Sequence, residues 1–249
     1  MRLLKLGQLM VRLAGGTDHE GGGNGPLVVL MHGFGAPATD LVPLFDSIQV
    51  PPEVRFAFPA APLVLDANAP DEFAPRAWWM IDIARMQQSL LRGDGPNLAR
   101  EAPPGLPAAR AAVLGMLAEL EQKLEAPAER VVLGGFSQGA MLATDVALRM
   151  ERPPAGLVIM SGAPVCVDEW QTHASKRAGL PVLQSHGRAD PILPYAGAEW
   201  LRDLLEGSRL GVEWVPFNGG HGIPDAVLAR LGPFVTSAAA KAKSGPASA

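Results

Sequence analysis

A serine hydroxyl is a weak nucleophile near neutral pH; to do chemistry it needs a base to take its proton and a carboxylate to orient that base. One serine of this 249-residue chain stands where such a role can be built. Gly135-Phe136-Ser137-Gln138-Gly139 follows the apolar run Val131-Val132-Leu133 and precedes a helical pattern. When a G-x-S-x-G segment reverses from strand to helix, the serine is forced into a strained backbone conformation, and side chains two residues to either side would collide. Glycines at 135 and 139 remove that collision. The Ser137 hydroxyl is expected to project above a sheet with a helix N-terminus behind it.

In this arrangement the partners follow in the order Ser, Asp or Glu, His. Three histidines come after Ser137: His173, His186 and His221. His221 is the favoured base, because Asn218-Gly219-Gly220-His221-Gly222 gives a loop histidine the freedom to approach the serine. His186, in Ser185-His186-Gly187, is the alternative base, or else a turn residue bonded to backbone. Asp190 is the favoured acid, in His186-Gly187-Arg188-Ala189-Asp190-Pro191 just past a strand pattern. Loops at the C-terminal ends of strands are where α/β sheets carry their sites. Asp168, after the preceding strand pattern, is the alternative acid, or else a helix cap before Glu169-Trp170.

An acyl-transfer intermediate carries an oxyanion that needs backbone donors, one from the residue after the nucleophile and one from an earlier strand-to-helix loop. His32-Gly33-Phe34-Gly35 is that loop, following the apolar run 27–31. The donors are then the main-chain N–H groups of Phe34 and Gln138, each typically worth about 3–4 kcal/mol in the barrier. His32 is expected to position the loop rather than to act as a base.

Short continuous apolar runs at 27–31, 55–59, 131–133, 156–160, 181–183 and 212–217 have the pattern of strands buried on both faces of a parallel sheet. Helical patterns lie between and after them. The strongest covers 108–124, with Val113, Met116, Leu117, Leu120 and Leu124 on one stripe, and shorter ones cover 140–149, 196–205 and 224–231. Strands alternating with helices predict a parallel α/β sheet. The segment 63–105 carries acidic residues, Trp78-Trp79 and many chain breakers, and reads as an excursion over one sheet edge, above the substrate groove. A single domain is expected over 1–236, with 237–249 a frayed tail of Ala, Lys, Ser, Gly and Pro.

Composition narrows the function classes. The net charge is −4, with 21 basic and 25 acidic residues and no basic block to carry a phosphate backbone, so no nucleic-acid partner is expected. No apolar run is long enough to span a membrane. The N-terminal stretch is broken by Arg2, Lys5, Gln8 and Arg12 and reads as strand rather than signal peptide, so a cytoplasmic protein is expected. The lone Cys166 can form no intrachain disulfide, and no Cys/His cluster has zinc spacing. Cys166 and Met141 are expected in the core, and neither a metal nor a cofactor is expected.

Together, G-F-S-Q-G, the upstream H-G-F-G, and the downstream G-R-A-D-P-I-L-P and G-G-H-G resemble the carboxylesterase/acyl-protein thioesterase (phospholipase/carboxylesterase) family of α/β-hydrolases, over about residues 27–231. The resemblance implies an α/β-hydrolase fold: a doubly wound, mostly parallel sheet with helices on both faces. It also implies a Ser137-Asp190-His221 triad, no metal, and hydrolysis of small or medium carboxylic esters. An acyl-thioesterase or lysophospholipase on the same machinery is the alternative. A non-catalytic binding protein of the same fold would usually have lost a triad member or an elbow glycine, and none is missing. Two departures concern the substrate. Phe34 and Ala36 stand where the family has leucine and aspartate in H-G-L-G-D, so the Phe34 ring is expected to narrow the acyl pocket. Trp78-Trp79-Met80-Ile81-Asp82-Ile83 resembles the family's S-W-F-D-I segment with extra length, which carries over Trp79 as a substrate-binding residue. The other reading of the tryptophan pair is packing of the excursion onto the sheet.

Overall fold

The computed structural model describes residues 1–93 and 95–243. Six continuous apolar runs become six parallel strands: β4 (Leu27–Met31), β5 (Arg55–Pro59), β8 (Val131–Phe136), β9 (Gly156–Met160), β10 (Pro181–Gly187) and β11 (Gly211–Phe217). The N-terminal stretch supplies β1 (Arg2–Leu6), β2 (Leu9–Gly16) and the short β3 (Glu20–Gly22). They form one sheet in the order β1-β2-β5-β4-β8-β9-β10-β11, with β3 beside β2. β2 is antiparallel to both β1 and β5, so the sheet is parallel except at that edge.

Period-two alternation divides each central strand between two cores. Leu27, Val29, Met31, Val131, Leu133, Leu157 and Ile159 face one; Val28, Leu30, Val132, Val158 and Met160 face the other. The first face is covered by α4 (Leu106–Leu124), α5 (Gln138–Arg149), α6 (Val167–Ala174) and α7 (Tyr195–Gly207). The second is covered by the short α1 (Leu44–Ser47) and by α8 (Asp225–Lys243). The expected stripe on α4 is the buried one, with Val113, Met116, Leu117 and Leu120 inside. This is the doubly wound, mostly parallel sheet of the α/β-hydrolase fold.

The chain leaves β4 toward β5 on one side and later builds β8 to β11 on the other. The sheet order therefore reverses between β4 and β8. Beyond the carboxyl ends of strands at such a switch point is where open α/β sheets place ligands. The oxyanion loop leaves β4 there, and Ser137 leaves β8.

Two expectations about segments change. The 63–105 excursion has structure of its own: β6 (Leu63–Val64) pairs antiparallel with β7 (Arg76–Ala77), followed by α2 (Ile83–Arg92) and α3 (Gly95–Leu98). The tail expected from Ser237 instead continues α8 as far as Lys243, and residues 244–249 of that expectation lie outside the described residues. Val227, Leu231, Phe234, Val235 and Ala238 form one buried stripe, with Ala238 only 2% exposed against the second core. Alanine and lysine are strong helix formers, so the composition that resembled a frayed tail suits the last turns of a docked helix. Among the described residues no helix is long and apolar enough to cross a membrane.

Candidate active site

At the end of β8, Ser137 takes φ 54° and ψ −118°, a conformation that L-residues rarely adopt. The two neighbouring glycines make this possible. A Cβ on Gly139 would lie 2.0 Å from the Met31 carbonyl oxygen, and one on Gly135 would lie 2.5 Å from the Gly139 carbonyl carbon. Both obstacles are backbone, which cannot turn aside. Gly139→Ala is therefore expected to cost about 3 kcal/mol or more, lowering the melting temperature by roughly 6–12 °C. A melt within about 2 °C of wild type would contradict the packing described for this turn.

Ser137 is half-buried, and its hydroxyl bonds to no described residue and does not cap α5. Its N–H donates to Met160 O at 2.9 Å, tying the turn to β9. Gln138 is the first residue of α5, where an N–H has no intrahelical acceptor. Across from it, Gly33 packs so closely that a Cβ there would be 3.3 Å from Ser137 Cβ. The Phe34 N–H is likewise uncommitted among the described residues, whereas the next one, Gly35 N–H, donates to Arg76 O at 2.8 Å. Two free backbone donors thus flank the serine, on the two loops expected to carry them.

Asp190 and His221 are brought together. His221 Nδ1–H donates to Asp190 Oδ2 at 2.7 Å. The Asp190 side chain is fully buried, a costly place for a carboxylate unless it is well bonded. Its Oδ1 accepts the N–H groups of Ile192 (2.8 Å) and Leu193 (2.9 Å). With the proton on Nδ1, the His221 Nε2 lone pair is free to act as a base. The Phe136 ring lies against His221 with centroids 4.8 Å apart, setting the imidazole beside the serine's neighbour. No hydrogen bond joins Ser137 to His221 among the described residues; such contacts often tighten only with substrate bound. The loops carrying acid and base are stitched backbone to backbone: Arg188 N–H donates to Phe217 O (2.9 Å) and Ala189 N–H to Gly219 O (3.0 Å).

The alternatives fall elsewhere. Asp168 lies in the first turn of α6, exposed and paired with Arg100. His173 ends that helix, against Arg149. His186 is buried beneath Asp190, with Nε2 at 2.9 Å from Leu193 O and 3.2 Å from Asp190 Oδ2. Both neighbours are acceptors, so Nε2 carries the proton; it donates to Leu193 O, and the imidazole sits close beside the acid. The bond to Leu193 O is the backbone-bonded reading of His186; sequence reasoning missed its place against the acid. Its available signal was the run Gln184-Ser185-His186, three polar residues continuing a buried strand. It also missed Ser161, held at φ 49° after β9, whose hydroxyl donates to the Gly222 carbonyl at 3.3 Å beside His221.

Trp79 is not in a groove. Its side chain is 3% exposed within the first core and packs against Gly105. As it stands it makes no wall for a substrate: the tryptophan pair packs the excursion onto the sheet, and the carry-over from the resembling segment is corrected. Both rings are seated inside, packed within the fold rather than facing a groove. Cys166 is buried against Asp145, and burial pushes its thiol up to about 12, so it is inert packing.

His32 is held by two complementary bonds, Nδ1–H to Gly33 O (2.9 Å) and Ala61 N–H to Nε2 (3.1 Å). Burial pushes its pKa down from 6.5 to about 4. Between those values the unfolded chain binds more protons than the folded one, so stability is full above pH 6.5 and is lost as pH falls toward 4, by up to about 3 kcal/mol. Burial lowers His186 in the same direction. Urea midpoints measured from pH 7 to pH 4 are expected to fall less steeply in His32→Gln than in wild type; equal slopes would contradict this assignment.

A family model described as phospholipase/carboxylesterase matches residues 20–238. An acyl-protein thioesterase 1 of Eremothecium gossypii is 30% identical over 177 residues, covering 69% of this chain and 68% of that protein. The crystal structure of esterase PE8 superposes with a TM-score of 0.72 at 28% identity, over 91% of this chain and 99% of that one. A carboxylesterase from Mesorhizobium loti superposes with a TM-score of 0.68 at 20% identity, over 98% and 99%, a likeness of fold. With the family model spanning nearly the whole folded chain, this protein belongs to the phospholipase/carboxylesterase family of α/β-hydrolases.

Proposed function

We propose that this chain is a single-domain serine hydrolase of small to medium carboxylic esters, working through an acyl-enzyme. Ser137 attacks the ester carbonyl while His221 Nε2 takes its proton, and the Phe34 and Gln138 N–H groups hold the oxyanion. Protonated His221, steadied by Asp190, gives the proton to the departing alcohol. Water then attacks the acyl-enzyme with His221 again as base, releasing the acid and restoring Ser137. Every step uses side chains, backbone and water alone, so no cofactor is needed. The observation that carries this reading is the buried Asp190 carboxylate accepting the N–H of one nitrogen of His221 while the other nitrogen is left free, beside a serine on a strained turn.

Thioester hydrolysis on the same machinery is the second reading, favoured by the relative named acyl-protein thioesterase 1. A cytoplasmic location and a free small-molecule ester as substrate belong to the same proposal. A profile over p-nitrophenyl butyrate, octanoate and laurate, with acyl-thioesters alongside, separates the readings. The expected result is the highest kcat/KM on the shorter esters. A preference of tenfold or more for thioesters of matched length would move the assignment to the second reading. Phe34 is half-buried in the loop next to Gly33, and its ring occupies space that a longer chain needs. Phe34→Leu is expected to raise kcat/KM for laurate relative to butyrate by roughly 10-fold, since a methylene of fit is worth about 1–3 kcal/mol. An unchanged ratio would discard the narrowing.

A further inference from the structure

Gln138 has a second use that its backbone role does not explain. Its side chain is fully buried, and both ends of the carboxamide are committed to the excursion. Oε1 accepts the Trp78 N–H at 2.9 Å, and Nε2–H donates to the Trp79 carbonyl at 2.8 Å. A main-chain N–H only donates and a carbonyl only accepts, so the amide has one workable orientation.

The same short stretch reaches the other oxyanion loop. Trp78 Nε1–H donates to His32 O at 2.9 Å. Gly35 N–H donates to Arg76 O at 2.8 Å, and Arg76 N–H donates to Ala36 O at 3.0 Å. The four residues from Arg76 to Trp79 are therefore bonded on one side to 32–36 and on the other to Gln138. At their bases the two loops are already joined where β4 pairs with β8, Met31 opposite Gly135. Pairing at the base and the excursion beyond it hold both loops at two points.

We propose that the Gln138 side chain and Trp78 form a positioning bracket that fixes the Phe34 and Gln138 N–H groups relative to each other, so that the excursion sets the geometry of the oxyanion hole. This rests on the reading of Ser137 as nucleophile with its oxyanion hole at those two residues. The bracket touches no reacting atom, since its polar groups are used up within the fold. It acts through the two backbone donors, which must converge to about 2.7–3.1 Å from the developing oxyanion. Misplacement by about 1 Å costs on the order of 100-fold in rate.

The test compares kcat and KM for p-nitrophenyl butyrate in Gln138→Met, Trp78→Phe and the double variant, with melting temperatures alongside. Methionine keeps the length of glutamine and removes both bonds; phenylalanine keeps an aromatic ring and removes the bond to His32. The bracket predicts that kcat falls by roughly tenfold or more in Gln138→Met while KM stays within about threefold, the signature of an interaction made in the transition state. Trp78→Phe is expected to lower kcat in the same way. Because both act on one geometry, the double variant should lose less than the product of the single losses. If Gln138→Met fails to accumulate as folded protein, Trp78→Phe alone carries the same expectation. A kcat within about twofold of wild type in the folded variants, with only the melting temperature lowered, would reduce the bracket to a structural role. Losses that multiply in the double variant would also overturn it. Failure of the underlying reading looks different: wild-type protein would then take no fluorophosphonate on Ser137.

Discussion

Ser137→Ala is expected to lower kcat for ester hydrolysis by on the order of 10⁴- to 10⁶-fold, while the protein keeps its wild-type melting temperature to within a degree or two. The two halves of this result have separate causes. Alanine leaves His221 with no hydroxyl to activate, so no acyl-enzyme can form, and what remains is the weak assistance of the donors to attack by water. The removed oxygen bonds to no described residue and leaves α5 uncapped already, so its loss empties no core space and strands no partner. Changes at such positions usually fall within about 0.5 kcal/mol. The glycines at 135 and 139 still allow the turn. A variant retaining more than a few per cent of wild-type activity would remove Ser137 from the mechanism.

The histidines give the second large effect, and here the structure sharpens the contrast. His221→Ala removes the base and is expected to cost on the order of 10⁴- to 10⁶-fold in kcat. His186→Ala removes an imidazole that lies 3.2 Å from Asp190 Oδ2 while leaving the 2.7 Å bond from His221 in place. Its expected loss in kcat is roughly 10-fold. Its larger effect is on stability, about 1–3 kcal/mol, because Leu193 O loses its buried donor. The pair should therefore sort by activity: His221→Ala folded but inactive, His186→Ala active and less stable than wild type. Inactivity in a fully folded His186→Ala, with His221→Ala retaining turnover, would exchange their roles.

What could be read beforehand followed hydropathy and glycine. The parallel strands carry continuous apolar runs because both faces are covered, and the elbow glycines stand where a Cβ would strike backbone. Strand ends were less legible. β10 continues past Leu183 through the buried Gln184, Ser185 and His186, of which Gln184 donates Nε2–H to Ala198 O at 2.8 Å and His186 donates Nε2–H to Leu193 O at 2.9 Å. Hydropathy cannot foresee a polar residue buried by its partners. The last turns of α8 were hidden for the opposite reason, as alanine and lysine carry little apolar signal until Ala238 is seen beside Phe234 and Gly156. Gln138 shows a third limit. Its position after the nucleophile identified a backbone donor, but the contacts of its side chain lie 59 and 60 residues away, within an excursion of unreadable path.

The most direct test of the proposed mechanism is covalent. Purified protein is treated with a fluorophosphonate, digested, and the modified residue located by mass spectrometry, in wild type and in His221→Ala. Attack by an activated serine predicts close to one label per chain, all of it on Ser137, and labelling slowed by several orders of magnitude when His221 is absent. Label on any other residue, or ester hydrolysis that continues at the wild-type rate without modification of Ser137, would contradict it.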